Sequence, residues 1–222
     1  MYRITIEAPL GLGKVVSQAP PPVVHSPPAT RDRRIPQHLG SSEIPEYLFR
    51  LAQAATRDSY WTTAARHLRE ASHYLQAAAR LAPDAARQEV LRNVAAQVRL
   101  AATAASCEQT AGIDPVRLFA RAQLALADCE QRLALLAWLR NDNRRAGCHL
   151  DSAMRQLRRA EAWIGNAGAD VAPAPDAQRI ADALADGWPV RAERVSDLVF
   201  GLERDIARLS RTVLPKFPSV RS

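Results

Sequence analysis

From residue 45 onward the apolar positions recur at alternating steps of three and four, the spacing of a helix with one buried stripe. Trp61, Ala64, Leu68, Ala71, Leu75, Ala78 and Ala82 form one such seam and predict a helix over about 60–81. A shorter helix over 45–57 precedes it, with Ser41 or Ser42 as its cap and Pro45 in its first turn. Pro83 and Asp84 end the seam and cap a third helix to about residue 110, with Val90, Val94, Val98, Ala101 and Ala105 facing inward. After Gly112, Asp114-Pro115 starts a helix to about residue 139 with the stripe Phe119, Ala122, Leu126, Cys129, Leu133 and Leu136. Asn141-Asp142-Asn143 makes a turn into a helix over 143–164, whose stripe is Ala146, Leu150, Ala153, Leu157, Ala160 and Ile164. A last helical stretch begins near Asp176, is interrupted around Gly187-Trp188-Pro189, and resumes with Val195, Leu198, Leu202, Ile206, Leu209 and Val213 on one face.

Residues 1–44 follow a different pattern. Tyr2, Ile4 and Ile6 alternate with polar neighbours, a short strand signal, and eight of the fifteen prolines fall between residues 9 and 45. This segment reads as a strand on an extended, proline-rich arm. The Gly11-Leu12-Gly13-Lys14 piece lacks the spacing and the following helix of a phosphate loop.

The two helical passes resemble one another. Sliding the chain by 82 residues brings ten identities over the 29 positions from 50 to 78, including Ala64, His67, Leu68, Ala71, Leu75 and Ala78 on Ala146, His149, Leu150, Ala153, Leu157 and Ala160. A shared Ala-Pro-Asp-Ala cap, at 82–85 and 174–177, follows in the same order. An internal duplication is expected, with related halves over 45–112 and 113–214 and a tail over 215–222. The fold expectation is an all-α antiparallel bundle of about six helices in two related three-helix halves, preceded by the arm.

Composition sharpens this picture. The 42 alanines and the aromatic content of 5% call for a core of small side chains and close helix approach. No run of about 18 apolar residues without a charge exists, so no membrane span is expected, and the charged start has no apolar leader. Cys107, Cys129 and Cys148 are odd in number and without a Cys-x-x-Cys pair, which points to reduced, buried thiols in a cytoplasmic protein.

The net charge of +7 invites a nucleic-acid partner, and every basic residue except Lys14 and Lys216 is arginine, a bias that a GC-rich genome also produces. The densest cationic stretch, 140–159, holds Arg140, Arg144, Arg145, Arg155, Arg158 and Arg159 and is the candidate polyanion surface; a solvated helix face is the plainer reading.

Few residues carry the marks of chemistry. His67 and His149 are equivalent in the duplication and are the candidate pair for a metal between helices, although no Glu-x-x-His accompanies them. A boundary histidine whose ring covers apolar neighbours and whose nitrogen finds a carbonyl or water is the plainer reading of each. Arg144-x-x-x-x-His149, preceded by Asn141 on an all-helical chain, resembles the Arg-x4–6-His motif of the HEPN ribonucleases. That resemblance implies an Arg and a His sharing a cleft that acts on an RNA phosphodiester; the first half departs from it with Thr62 at the matching position. Glu43, Glu46, Asp142 and Asp151 read as helix-terminal or exposed carboxylates. Trp61, Trp138 and Trp163 read as plugs near helix ends, whereas Trp188, between Gly187 and Pro189, is the aromatic expected to meet a partner.

Together these features lead to the expectation of a non-enzymatic binding or assembly protein. It would act through Tyr2, Ile4 and Ile6 of the arm, through Trp188 and through one bundle face, on a protein partner or a second copy. No cofactor is expected. Nucleic-acid binding through the arginine helix is the alternative, followed by HEPN-like ribonuclease activity.

Overall fold

The computed structural model describes residues 43–108, 114–165 and 175–213. Among these it contains seven helices and no strand: α1 (Ile44–Arg57), α2 (Trp61–Leu81), α3 (Ala85–Ser106), α4 (Pro115–Leu139), α5 (Asn143–Ile164), α6 (Pro175–Ala185) and α7 (Ala192–Val213). Local chemistry sets the ends. Asp84, Asp114 and Asp142 each accept a bond from the backbone N–H three residues on, at 2.9, 3.1 and 3.2 Å. Gly165 closes α5 with φ +78°. The first cap differs from expectation: Glu43 occupies the cap position of α1 and makes no side-chain cap bond. Ser41, Ser42 and the arm with Tyr2, Ile4 and Ile6 lie outside the described residues.

Seven helices replace the expected six because the last stretch divides fully. Gly187 takes φ +80°, and Trp188 to Arg191 leave the helical path before α7 begins. Proline at 189 lacks an N–H and disfavours a helical residue before it, so the two segments cannot merge into one rod.

α1 and α2 form a hairpin, α3 lies on α2, and α4 and α5 form the second hairpin. α6 packs on α5, and α7 packs chiefly on α4. One core gathers Leu48, Phe49, Leu75, Leu91 and Val98 from α1–α3 with Phe119 and Leu126 of α4. The second gathers Leu150 and Leu157 of α5, Leu184 of α6 and Val195, Val199 and Leu202 of α7 with Leu124 and Ala134 of α4. α4 therefore serves both cores and is buried almost all round from Leu118 to Cys129. Val90, expected inward on α3, is instead 48% exposed. Arg87 of α3 ties that helix to α4, reaching Asp128 at 3.0 Å while also holding Asp84 at 2.9 Å.

The 82-residue step extends to the backbone. Ser59 and Asn141, exactly one step apart, both adopt left-handed conformations, with φ +60° and +58°. Tyr60 N donates to Ala55 O at 2.8 Å, and Asp142 N donates to Ala137 O at 2.9 Å. Non-glycine residues rarely take positive φ, so two hairpins with the same unusual turn at the same offset share one construction. The halves diverge afterwards, where the single α3 is answered by α6 and α7.

Candidate functional site

The arginine-rich region forms a divided surface. Arg144, Arg155 and Arg158 recur on one side of α5, and all three are exposed. Arg140 is exposed in the turn before the helix. Arg145 pairs with Asp142 at 3.4 Å and Arg155 with Asp151 at 2.8 Å. Arg158 donates to its own helix at Met154 O, 3.3 Å away. Arg159 does not belong to that surface: it turns toward α1, reaching Glu43 at 3.5 Å and Gln156 at 3.4 Å. Burial pulls its guanidinium below the ordinary arginine value, against the opposing pull of Glu46 and Glu43.

Beside this stripe lies an open groove of about 390 Å³ between α5, α6 and α7. Its floor is Met154 and Leu157 of α5, Ala177 and Ile180 of α6, and Leu198, Gly201 and Leu202 of α7. Its rim carries Arg158, Glu161, Asp176, Arg194, Asp197 and Asp205. Glu161 is buried, and burial raises its carboxyl above the usual range, while Arg208 at 3.8 Å opposes the rise. The groove exists because α6 is drawn tightly against α5 while α7 follows α4. Gly147 permits that approach: a Cβ there would lie 2.5 Å from Ala181 O and 2.9 Å from Ala185 Cα. Gln178 adds a polar tie, donating to Asp151 at 3.0 Å. A second hollow shares Asp176, Ile180 and Arg194 with the groove and is walled by Pro189 and Val190. Trp188, the residue before that wall, is 65% exposed.

The histidines are held separately. His67 is buried with its Nδ1 3.8 Å from Glu70 and without a hydrogen bond. Burial lowers its pKa, against the pull of Glu70. His149 is half-buried, and its Nδ1 lies 2.6 Å from Glu130 of α4. Each has its own carboxylate, and no three His, Cys, Asp or Glu residues among those described are grouped to hold a metal ion. Arg144 and His149 point in directions about 140° apart around α5 by helical geometry, the first to solvent and the second toward Glu130. Of the three thiols, Cys129 is buried, while Cys107 and Cys148 are exposed, contrary to the expectation of three buried thiols.

The largest departure from expectation is Glu46, which is only 7% exposed. Its carboxylate accepts from Arg50 Nε at 2.6 Å, from Gln123 Nε2 at 2.9 Å and from Trp163 Nε1 at 2.8 Å. Phe119 stacks on Phe49 at 4.3 Å and meets Trp163 edge-on at 5.0 Å, covering this polar node. The node joins α1, α4 and α5. The available sequence signal was that Glu46 lies one helical turn before Phe49, on the inward face of α1. Trp163 and Trp138 pack against the cores as expected of plugs, and Trp61 is half-buried. No described helix is long and apolar enough to cross a membrane. Comparison with protein-family models, curated proteins and solved structures finds no match.

Proposed function

We propose that this is a non-enzymatic binding or assembly protein that takes hold of a protein partner through the face made by α5, α6 and α7. The arm residues Tyr2, Ile4 and Ile6 supply a second contact, and exposed Trp188 serves as an anchor beside the groove. The observation that carries this reading is the open groove itself. An apolar floor with a charged rim is the composition of a recognition surface: the floor supplies affinity and the rim sets orientation. The cationic side of α5 is narrower than its run of arginines, because Arg159 is turned inward toward Glu43.

The test is affinity capture from native cells with the tagged full chain, with and without nuclease. The chain carrying Trp188→Ala with Leu198→Gln, and the chain lacking residues 1–40, are run beside it. A partner that persists after nuclease and is lost from both variants, with helicity unchanged, supports the reading. Capture indifferent to the groove variant refutes the role of this face. Capture that disappears with nuclease transfers the function to nucleic acid and the arginines of α5.

A further inference from the structure

The corner between α6 and α7 is tied to the helices on both sides of it. Gly187 N donates to Leu184 O at 3.0 Å, and Trp188 N donates to Ala183 O at 2.8 Å. Pro189 restricts the backbone beyond them, and Val190 packs against the second core. Arg191 follows directly, and Arg194 lies about one helical turn further on. α6 supplies Arg179, one turn before Ala183. All three arginines line the hollow walled by Pro189 and Val190, whose volume is about 480 Å³.

The charges of this lining do not cancel. Three guanidiniums stand against one carboxylate, Asp176, a surplus of two positive charges. Asp176 is 3.6 Å from Arg179, and both side chains are exposed, so that pair holds Arg179 only weakly. Neither Arg191 nor Arg194 has an ion-pair partner among the described residues, although Glu193 and Asp197 lie close to them in sequence. Arg117, Arg145 and Arg155, by contrast, are each paired with an aspartate of their own helix or its cap.

Like charges gathered around one hollow repel each other, and an anion seated among them removes that repulsion. A guanidinium fork pairs best with an oxyanion that accepts two parallel N–H bonds. A phosphate monoester carries a charge of about −1.5 to −2 at neutral pH and offsets the surplus, whereas a carboxylate brings a single charge. The volume lies in the range of small-molecule sites and exceeds the needs of a bare phosphate. Exposed Pro189 and half-buried Val190 give the arginines an apolar wall, which suits the organic part of such a molecule. From these features, and independently of the partner-binding reading above, we propose that this hollow binds a small organic phosphate. Its phosphate lies among Arg179, Arg191 and Arg194, and its organic part lies against Pro189 and Val190.

The experiment is calorimetric titration of the full chain with phenyl phosphate, inorganic phosphate and phenol, at constant ionic strength in chloride because screening weakens every exposed charge alike. Phenyl phosphate is expected to bind at least about tenfold more tightly than inorganic phosphate, and phenol not at all. Arg191→Gln/Arg194→Gln should weaken phenyl phosphate binding by at least about tenfold while circular dichroism and the melting curve stay in place. Arg92→Gln/Arg99→Gln, which removes the same charge from the exposed side of α3, should leave it unchanged. Asp176→Asn, which removes the one carboxylate of the lining, should tighten it. Absence of phenyl phosphate binding overturns the proposal. Equal weakening by the two double variants also overturns it, because attraction would then come from net charge rather than from this hollow. Weaker binding to Asp176→Asn would place the anion elsewhere, and inorganic phosphate binding as tightly as the ester would refute the organic part of the ligand.

Discussion

Replacing each helix-interior glycine by alanine should move stability in opposite directions. Helix propensity alone favours both changes, by about 0.8–1 kcal/mol for Gly→Ala in a helix interior. At Gly201 nothing opposes that gain, because the added methyl enters open space. Gly201→Ala is therefore expected to stabilise by about 0.5–1 kcal/mol, a rise in Tm of about 1–4 °C for a chain of this size. At Gly147 the methyl would sit 2.5 Å from Ala181 O and 2.9 Å from Ala185 Cα, and closer still to Ala185 N. These are backbone atoms of α6, so no rotamer change relieves the clash; α6 must withdraw by about 1 Å to restore ordinary contact distances. Withdrawal loosens Ile180, Ala181 and Leu184, all buried against α5 and α7. Overpacking of this kind costs about 1–3 kcal/mol, and more when backbone must move. The net expectation for Gly147→Ala is a loss of about 1–2 kcal/mol after the propensity gain is counted. Urea denaturation followed by circular dichroism measures both variants on one scale. If Gly147→Ala proved as stable as the parent or more so, α6 would not lie against α5 at this distance, and the shape of the groove would have to be given up.

Other expectations follow from the buried polar groups. Glu46→Ala would leave Gln123 Nε2 and Trp163 Nε1 without their acceptor, at a cost of about 2–4 kcal/mol in urea unfolding, while Glu46→Gln, which keeps an acceptor oxygen, should lose clearly less. His67 is held below its usual pKa of 6.5 by burial. As pH falls below 6.5 the unfolded chain therefore takes up this proton before the folded one does, and stability is lost. His67→Gln should flatten that part of the stability–pH curve, and an unchanged curve would show that the ring is not buried neutral. Burial and the neighbouring carboxylates push the Cys129 thiol up to about 12, whereas Cys107 and Cys148 are exposed. A thiol reagent at neutral pH should label two cysteines promptly and the third only on unfolding; three prompt reactions would contradict the packing of α4.

The seams of alternating three- and four-residue steps were sufficient for the helices, because burial of one stripe leaves a periodic record that no neighbour can erase. The aspartate caps and the 82-residue similarity belong to the same local level, and the matching left-handed turns at Ser59 and Asn141 are its backbone expression. Tertiary structure decided what each polar residue on those helices does. Glu46, an ordinary first-turn acid by sequence, became a buried acceptor only when Gln123 and Trp163 arrived from helices 77 and 117 residues away. Arg158 and Arg159 are neighbours in one basic run, yet the 100° between them sends the first to the groove rim and the second toward Glu43. Leu157, Leu198 and Leu202 were legible as apolar positions, but a stripe does not say which helices it meets in the core. The groove arises from a spacing between helices: backbone contact at Gly147 holds α6 on α5, and the break at Gly187 lets α7 follow α4 instead. Local periodicity carries the direction each side chain faces, and only packing determines what it meets there.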